Sequence, residues 1–140
     1  MSEQNKELIR RWFDEVWNKG NRDAIDELLD KDVVIHGLSN DPGEPMRGAS
    51  TFREFHKSFY DSFPDIVVTV DDTIAEGDQV VARCTVRGQH TGDSLGFAAT
   101  NKPILMTGIV IVRVKYGKFV EGWNSFDFLT LYQQIGVVSL

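Results

Sequence analysis

The spacing of apolar residues changes near residue 65, and this change restricts the chain to few folds. Before it, apolar side chains recur every three or four residues, which is the period of an amphipathic helix. After it, Val, Ile and Thr alternate with polar residues at a period of two, as in β-strands. Helices followed by strands predict the α+β class, with helices collected on one face of a mostly antiparallel sheet.

Three helices are predicted in the first part of the chain, at about residues 3–18, 21–30 and 49–63. Pro64 ends the third of them, because proline cannot continue a helix. A short strand is predicted at residues 32–37, between the second helix and the third. A short terminal helix is predicted to follow the last strand.

Four long strands are predicted between residues 65 and 126, with turns at 76–78 and 116–117. In the last two strands, simple alternation places Val110 and Val120 on one face and Phe119 on the other. Both faces carry many apolar residues, and three helices can cover only one of them. The second, outer face is therefore predicted to pack against another copy of the chain as a homodimer.

Length and charge exclude several classes of protein. The 140 residues fit one domain, 1–140, and the net charge of −6 without a basic cluster argues against nucleic acid. No apolar run resembles a signal peptide or a membrane span, so a cytoplasmic protein is expected. The single cysteine, Cys84, lies in an apolar strand and is predicted to be buried and unreactive. No His, Cys or carboxylate pattern has metal-ligand spacing.

Several segments together carry a resemblance to a known family. They are WFDEVWNKGN, LLDKDVVIHG, the G-x-H-x-G at residues 88–92, TGIVIVRVKYGKFVEGW, and D-x-x-x-L-x-x-Q-Q-I-G at 127–136. In order and spacing the chain resembles the SnoaL-like polyketide cyclases of the NTF2-like superfamily over nearly its whole length. The resemblance implies a cone-shaped α+β barrel around a pocket, usually dimeric, and aldol ring closure of a polyketide ester without metal or cofactor.

The resemblance also assigns catalytic positions, and here the residue types differ from those of the family. The family's acid/base aspartate falls at Asn124 and its histidine at Gly122. Its polar pair on the preceding strand falls at Gly108 and Val110, and a further asparagine falls near Ile35. An amide has no titratable proton near neutral pH, so Asn124 can donate a hydrogen bond to a carbonyl but cannot act as the base.

Three residues are therefore the candidate catalytic groups. His36, at the end of the first strand, is expected near the pocket entrance and can serve as a base. Asp127 can serve as a base if apolar neighbours raise its pKa, but it also stands where an N-cap of the terminal helix would be. Asn124 would hydrogen-bond the developing oxyanion.

Other polar residues have structural interpretations. Glu121 lies on the strand face opposite Asn124 and is expected in a surface or interface ion pair, with Trp123 beside it at a subunit contact. His90 is expected to shape the loop after its strand, and His56 to lie at the rim of the core.

The predicted ligand-binding residues are mostly apolar. They are Phe13, Phe55, Phe59, Gly108, Val110, Gly122 and Asn124. The two glycines are expected to leave the pocket enlarged near the sheet. Three functions stay open: cofactor-free cyclisation, isomerisation or dehydration by proton transfer; binding of a small apolar ligand without catalysis; and a purely structural dimerisation domain.

Overall fold

The computed structural model describes residues 2–39 and 43–139. Its helices are α1 (Ser2–Arg11), which continues as a π-helical segment (Trp12–Asn18), α2 (Asp23–Leu28), α3 (Ala49–Ser62) and α4 (Phe128–Gln134). Its strands are β1 (Leu29–His36), β2 (Met46–Arg47), β3 (Val67–Glu76), β4 (Gln79–Gln89), β5 (Pro103–Lys115) and β6 (Lys118–Phe126). The predicted α+β class is confirmed.

The six strands form one sheet in the order β2-β1-β6-β5-β4-β3. Neighbouring strands are antiparallel except β1 and β6, which run parallel. The sheet does not close on itself, because β2 and β3 are its two edges, so the expected barrel is an open one. The two-residue strand β2 was not predicted, since two residues are too few for a visible period.

The first helix changes its geometry halfway along. From Trp12 onward its bonds span five residues, as from the N–H of Lys19 to the carbonyl of Asp14. A wider turn places residues four and five apart on one side, and Trp12, Val16 and Trp17 are all buried. The π-helical segment therefore turns both tryptophans toward the core.

Helix packing joins the π-helical segment, α3 and the sheet through aromatic rings. The Trp12 ring lies 5.1 Å from Phe52 of α3 and 5.8 Å from Phe119 of β6. Trp17 contacts Phe55 and Phe59 edge to face at 6.4 and 5.7 Å. Such tilted contacts are the favoured geometry of aromatic pairs, and they fix the helices over one face of the sheet.

Both predicted turns are confirmed. Glu76 pairs with Gln79 around a two-residue turn, and Lys115 pairs with Lys118 around Tyr116-Gly117. Tyr116 and Gly117 have φ of 53° and 74°. Two successive positive φ values are typical of a type I′ turn, whose twist matches that of the strands it joins.

Strict alternation fails in β6, where the register with β5 shifts between Arg113 and Val114. Phe119 pairs with Val114 and is 2 % exposed, and it lies on the inner face with Gly122. The prediction that Val120 faces inward and Phe119 outward is therefore wrong. A bulge adds one residue to a strand and reverses the faces beyond it.

Two amide side chains form hydrogen bonds with strand backbone at positions that have no neighbouring strand on that side. Asn18 bonds both the N–H and the carbonyl of Val68 on the edge strand β3, at 2.6 and 3.0 Å. Gln134 of α4 does the same to Leu105 of β5, at 2.8 and 2.9 Å. Because a primary amide offers one acceptor and a donor, it replaces one residue of a neighbouring strand. This contact explains the second glutamine of the terminal Q-Q-I-G segment.

Candidate functional site

A cavity of about 80 Å³ lies between the helices and the inner face of the sheet. Its walls are almost entirely apolar, and Asn124 and Glu121 are the polar residues among them. The remaining lining residues are Ile9, Trp12, Phe13, Trp17, Leu29, Val33, Ile35, Leu38, Phe52, Phe55, Phe59, Ile66, Val68, Val86, Met106, Val110, Val112, Phe119, Gly122, Phe126 and Phe128.

Six of the seven predicted ligand-binding residues line this cavity, and Gly108 does not. A Cβ atom on Gly108 would lie 2.1 Å from the Phe126 ring, so that ring occupies the space the glycine leaves free. A Cβ on Gly122 would make only ordinary contacts, the nearest at 3.7 Å from Val112. The expected enlargement is therefore wrong at Gly108 and holds only beside Gly122.

Asn124 holds the junction between β6 and the end of β1. One N–H of its carboxamide donates to the carbonyl of His36 at 3.1 Å. The same nitrogen lies 3.9 Å from the Cβ position of Gly122, next to the open space. The carboxamide has a second N–H, and no other hydrogen bond of this side chain is formed with the described residues.

His36 lies on the outer face of the sheet, so the expectation that it stands at the pocket entrance is wrong. Its Nε2 lies 2.8 Å from Oε2 of Glu121, and its ring stacks on Trp123 at 5.5 Å. The cavity lining from β1 instead comes from Val33 and Ile35, which point the other way. The end of the strand was predicted correctly, and Ile35, near which the resemblance placed the family's further asparagine, lies in the cavity wall.

Asp127 caps α4 and is not part of the cavity. Its carboxylate accepts from the N–H of Thr130 at 3.1 Å and from the Thr130 hydroxyl at 2.6 Å. These two bonds stabilise the ionised form and lower the pKa of Asp127, the opposite of what a base at neutral pH requires. Of the two interpretations of Asp127, the N-cap is confirmed and the raised pKa is wrong.

The other titratable groups are placed for structural roles. The Glu121 carboxylate is bonded to His36, which agrees with the expected pair at the surface. Burial raises the pKa of the Cys84 thiol to about 12, so this cysteine is unreactive as predicted. Across residues 2–39 and 43–139, no three His, Cys, Asp or Glu residues are grouped as metal ligands.

His90 and His56 are both fully buried. Nδ1 of His90 accepts the N–H of Thr100 at 3.2 Å, which ties the two ends of the following loop together as expected. His56 lies inside the core and not at its rim, against the prediction. Its Nε2 lies 2.8 Å from the Val16 carbonyl, and its Nδ1 lies 3.2 Å from the Arg22 guanidinium.

Sequence reasoning missed several aromatic walls of the cavity. Trp12 and Trp17 flank the predicted Phe13 on the apolar stripe of the first helix, and this stripe was the available signal. Phe119 was concealed by the β6 bulge. The inward direction of Phe126 follows from the same alternation as Gly122 and Asn124, although it was not named as a ligand-binding residue; Phe128 lies beyond the strand, where that alternation ends.

The chain is similar in sequence to a known family of proteins and to one of its characterised members. The family model of the SnoaL-like polyketide cyclases matches residues 7–135. Aklanonic acid methyl ester cyclase DnrD from Streptomyces peucetius is 26% identical over 132 residues, covering 93% of this chain and 89% of that protein.

Solved structures match nearly the whole chain. Wild-type IdmH from Streptomyces antibioticus is 32% identical, with a TM-score of 0.81, covering 95% of this chain and 99% of that one. TsrD from Streptomyces laurentii is 25% identical, with a TM-score of 0.84, and the match covers 99% of this chain and 98% of TsrD. Among the described residues, no helix has both the length and the apolar character needed to cross a membrane.

Proposed function

The chain belongs to the SnoaL-like polyketide cyclase family, and from this premise we propose that it binds a small apolar organic molecule with a carbonyl group, the chemistry that polyketide fragments present. The observation that carries this proposal is the Asn124 carboxamide beside Gly122, in a cavity whose other polar lining residue, Glu121, is held by His36. A pocket with apolar walls and one or two directed polar groups is the usual form of a small-molecule site.

The ligand is oriented by the second N–H of Asn124. The first N–H is held by the carbonyl of His36, which fixes the plane of the carboxamide. A ligand carbonyl accepts the second N–H while the apolar body of the ligand lies over Gly122, against Val112. Removing this donor would leave a ligand carbonyl without a partner in an apolar cavity, which is unfavourable.

Binding is better supported than proton-transfer chemistry. Proton abstraction needs a titratable group within hydrogen-bond reach of the substrate. Among the described lining residues only Glu121 carries a carboxylate, and His36 holds it at 2.8 Å. Asp127 is exposed and engaged as a cap. We therefore assign ligand binding to the natural protein. Cyclase or isomerase chemistry would require a base at residue 124, which the natural protein does not have.

The Asn124→Leu variant tests the role of the carboxamide, because leucine has a similar size and no donor. We expect the affinity for a one-ring aromatic ketone to fall about tenfold, the effect of one hydrogen bond. The affinity for the matching alkylbenzene should change little. Both affinities are measured by isothermal titration calorimetry.

A second pair of variants tests where the ligand lies. Gly122→Leu places a side chain into the cavity above the sheet and should abolish the thermal shift caused by the ketone. Ser125→Leu adds the same side chain at an exposed position of the same strand and should leave the shift intact. Equal shifts in the two variants, or equal losses for ketone and hydrocarbon in Asn124→Leu, would contradict the proposed site.

We also propose that the outer face of the sheet joins two copies of the chain. A row of laterally paired residues crosses five strands on this face, and we call it the outer belt. Its members, from β3 to β1, are Ile74, Val81, Ile111, Trp123 and His36. Ile74 is 63% exposed, and because it continues a row of apolar side chains it belongs to a patch of the kind that marks an interface.

Charged residues on both sides of the outer belt support a second copy as its partner. On one side, Arg113 and Glu121 are lateral neighbours on adjacent strands. On the other side, Asp72 and Arg83 are lateral neighbours in the same sense. Each side therefore presents both signs of charge. A two-fold axis brings the same patch of two subunits together, and patches of mixed charge can then pair opposite charges across the contact.

A charge in the middle of the outer belt should separate the subunits. Ile111→Lys places an ammonium group between Val81 and Trp123, where it would have to be desolvated in the dimer. We expect sedimentation velocity to show a dimer for the unchanged protein and a monomer for this variant. Thr51→Lys, on the exposed side of α3, is the control and should stay dimeric. A monomeric unchanged protein would refute the interface.

A further inference from the structure

The two glycines on the inner face of β5 and β6 differ in what lies above them. Gly122 faces the cavity, and a Cβ there would make only ordinary contacts, the nearest at 3.7 Å. Gly108 is covered by the Phe126 ring, whose Cδ1 and Cε1 atoms would be 2.1 and 2.6 Å from a Cβ. A real Cβ never comes so close to another atom, so the ring rests directly on the glycine backbone.

Phe126 ends a series of aromatic rings that line one side of the cavity. Its ring lies 6.3 Å from Phe128, which lies 6.3 Å from Phe59, which stacks on Phe55 at 5.9 Å. Phe126 is also two residues beyond Asn124 on the same strand face. The ring therefore borders the cavity on the side of Gly108, next to the carboxamide.

The size of the cavity limits what it can hold with this ring in place. Its volume is about 80 Å³. An apolar cavity that accepts benzene measures about 150 Å³, and pockets for larger ligands start near 300 Å³. One ring requires small adjustments of the walls, whereas several fused rings require a wall residue to leave. Phe126, Phe55 and Phe128 are only partly buried, whereas Phe13, Phe52 and Phe119 are at least 96 % covered. Of the three partly buried rings, Phe126 is the one that rests on Gly108.

We propose that Phe126, resting on Gly108, is the residue that limits the ligand to one-ring or short-chain carbonyl compounds. This inference rests on the proposed function, because it concerns the same cavity and the same carbonyl at Asn124. Displacing the ring from Gly108 opens the cavity along the inner face of β5. Molecules with two or three fused rings then fit while their carbonyl keeps its bond to the carboxamide.

The test compares ketones of one, two and three rings in which the acetyl group is the same: acetophenone, acetylnaphthalene and acetylanthracene. Dissociation constants are measured by isothermal titration calorimetry for the unchanged protein and for Phe126→Ala. The unchanged protein should bind acetophenone at least tenfold more tightly than acetylanthracene. Phe126→Ala should bind acetylanthracene at least tenfold more tightly than the unchanged protein does.

Controls separate this inference from the proposed function. Phe97→Ala removes a ring from a part of the chain that does not line the cavity and should keep the original order of affinities. If Phe126→Ala does not fold by circular dichroism, Phe126→Leu replaces it and should gain affinity for acetylnaphthalene. An unchanged order in a folded variant overturns the role of Phe126. Failure of the unchanged protein to bind acetophenone overturns the proposed function itself.

Discussion

Replacing His56 with alanine should lower the free energy of unfolding by about 3 kcal/mol, in the range of aromatic deletions from protein cores. The imidazole is 1 % exposed and lies between the tilted ring of Trp17 at 4.6 Å and the stacked ring of Tyr60 at 5.5 Å. It also satisfies the Val16 carbonyl, which lies in the core and would lose its side-chain partner. Urea denaturation followed by tryptophan fluorescence measures the change.

The same residue should make stability depend on pH. The Val16 carbonyl is only an acceptor, so Nε2 carries the proton, and Nδ1 accepts from Arg22. Burial, together with the Arg22 and Arg53 charges, lowers the pKa of His56 despite the Val16 bond. The unfolded chain, with a histidine pKa near 6.5, then binds more protons than the native state. The free energy of unfolding should therefore fall as the pH drops below about 6.5.

Two variants isolate these contributions. His56→Phe keeps a ring of similar size, so it should recover part of the packing but lack the His56 contribution to the pH dependence below about 6.5. Lys57→Ala changes the neighbouring exposed residue and should leave both the free energy of unfolding and its dependence on pH unchanged. A stability of His56→Phe that depends on pH as strongly as that of the unchanged protein would show that other groups cause the effect.

The elements of this fold could be predicted wherever their cause is local. The aromatic stripe of α3 and the turn at Tyr116-Gly117 depend on residues a few positions apart, and both were predicted within a residue or two. The parallel pairing of β1 with β6 joins residues far apart in the chain, such as His36 and Trp123. No period in the sequence encodes that pairing, so the outward direction of His36 could not be derived.

The site shows the same division between local and long-range causes. The inward positions of Val110, Gly122 and Asn124 follow from alternation along two strands, and they were predicted. The size of the cavity depends on how Phe126 packs against Gly108 on another strand, and the sequence alone suggested the opposite effect. A glycine can mark an open space or a place where a neighbouring ring approaches the backbone, and only the three-dimensional packing distinguishes these cases.

The Asn124→Asp variant should introduce a base into the cavity and should carry a distinctive pH dependence. An Asp carboxylate would face the His36 carbonyl, which now accepts the amide N–H at 3.1 Å, and two acceptors repel each other. Apolar walls and this carbonyl together should raise the pKa of the new carboxyl. Because the native state then holds a proton that the unfolded chain releases above pH 4, stability relative to the unchanged protein should decrease as pH rises, by about 2 kcal/mol at pH 8.

The functional effect of Asn124→Asp is measured by deuterium exchange at the α carbon of a one-ring β-keto ester, followed by proton NMR. A positioned general base accelerates proton transfer about 100-fold or more. We expect exchange at least 100-fold faster with this variant than with the unchanged protein at pH 8, where the new carboxyl is ionised. Adding Gly122→Leu to Asn124→Asp should abolish the gain, because the substrate then has no space beside the base. Slow exchange in a folded variant that still binds the ester would show that residue 124 holds the carbonyl but does not reach the acidic carbon. Fast exchange would show that the natural chain retains the cyclase scaffold and lacks its base.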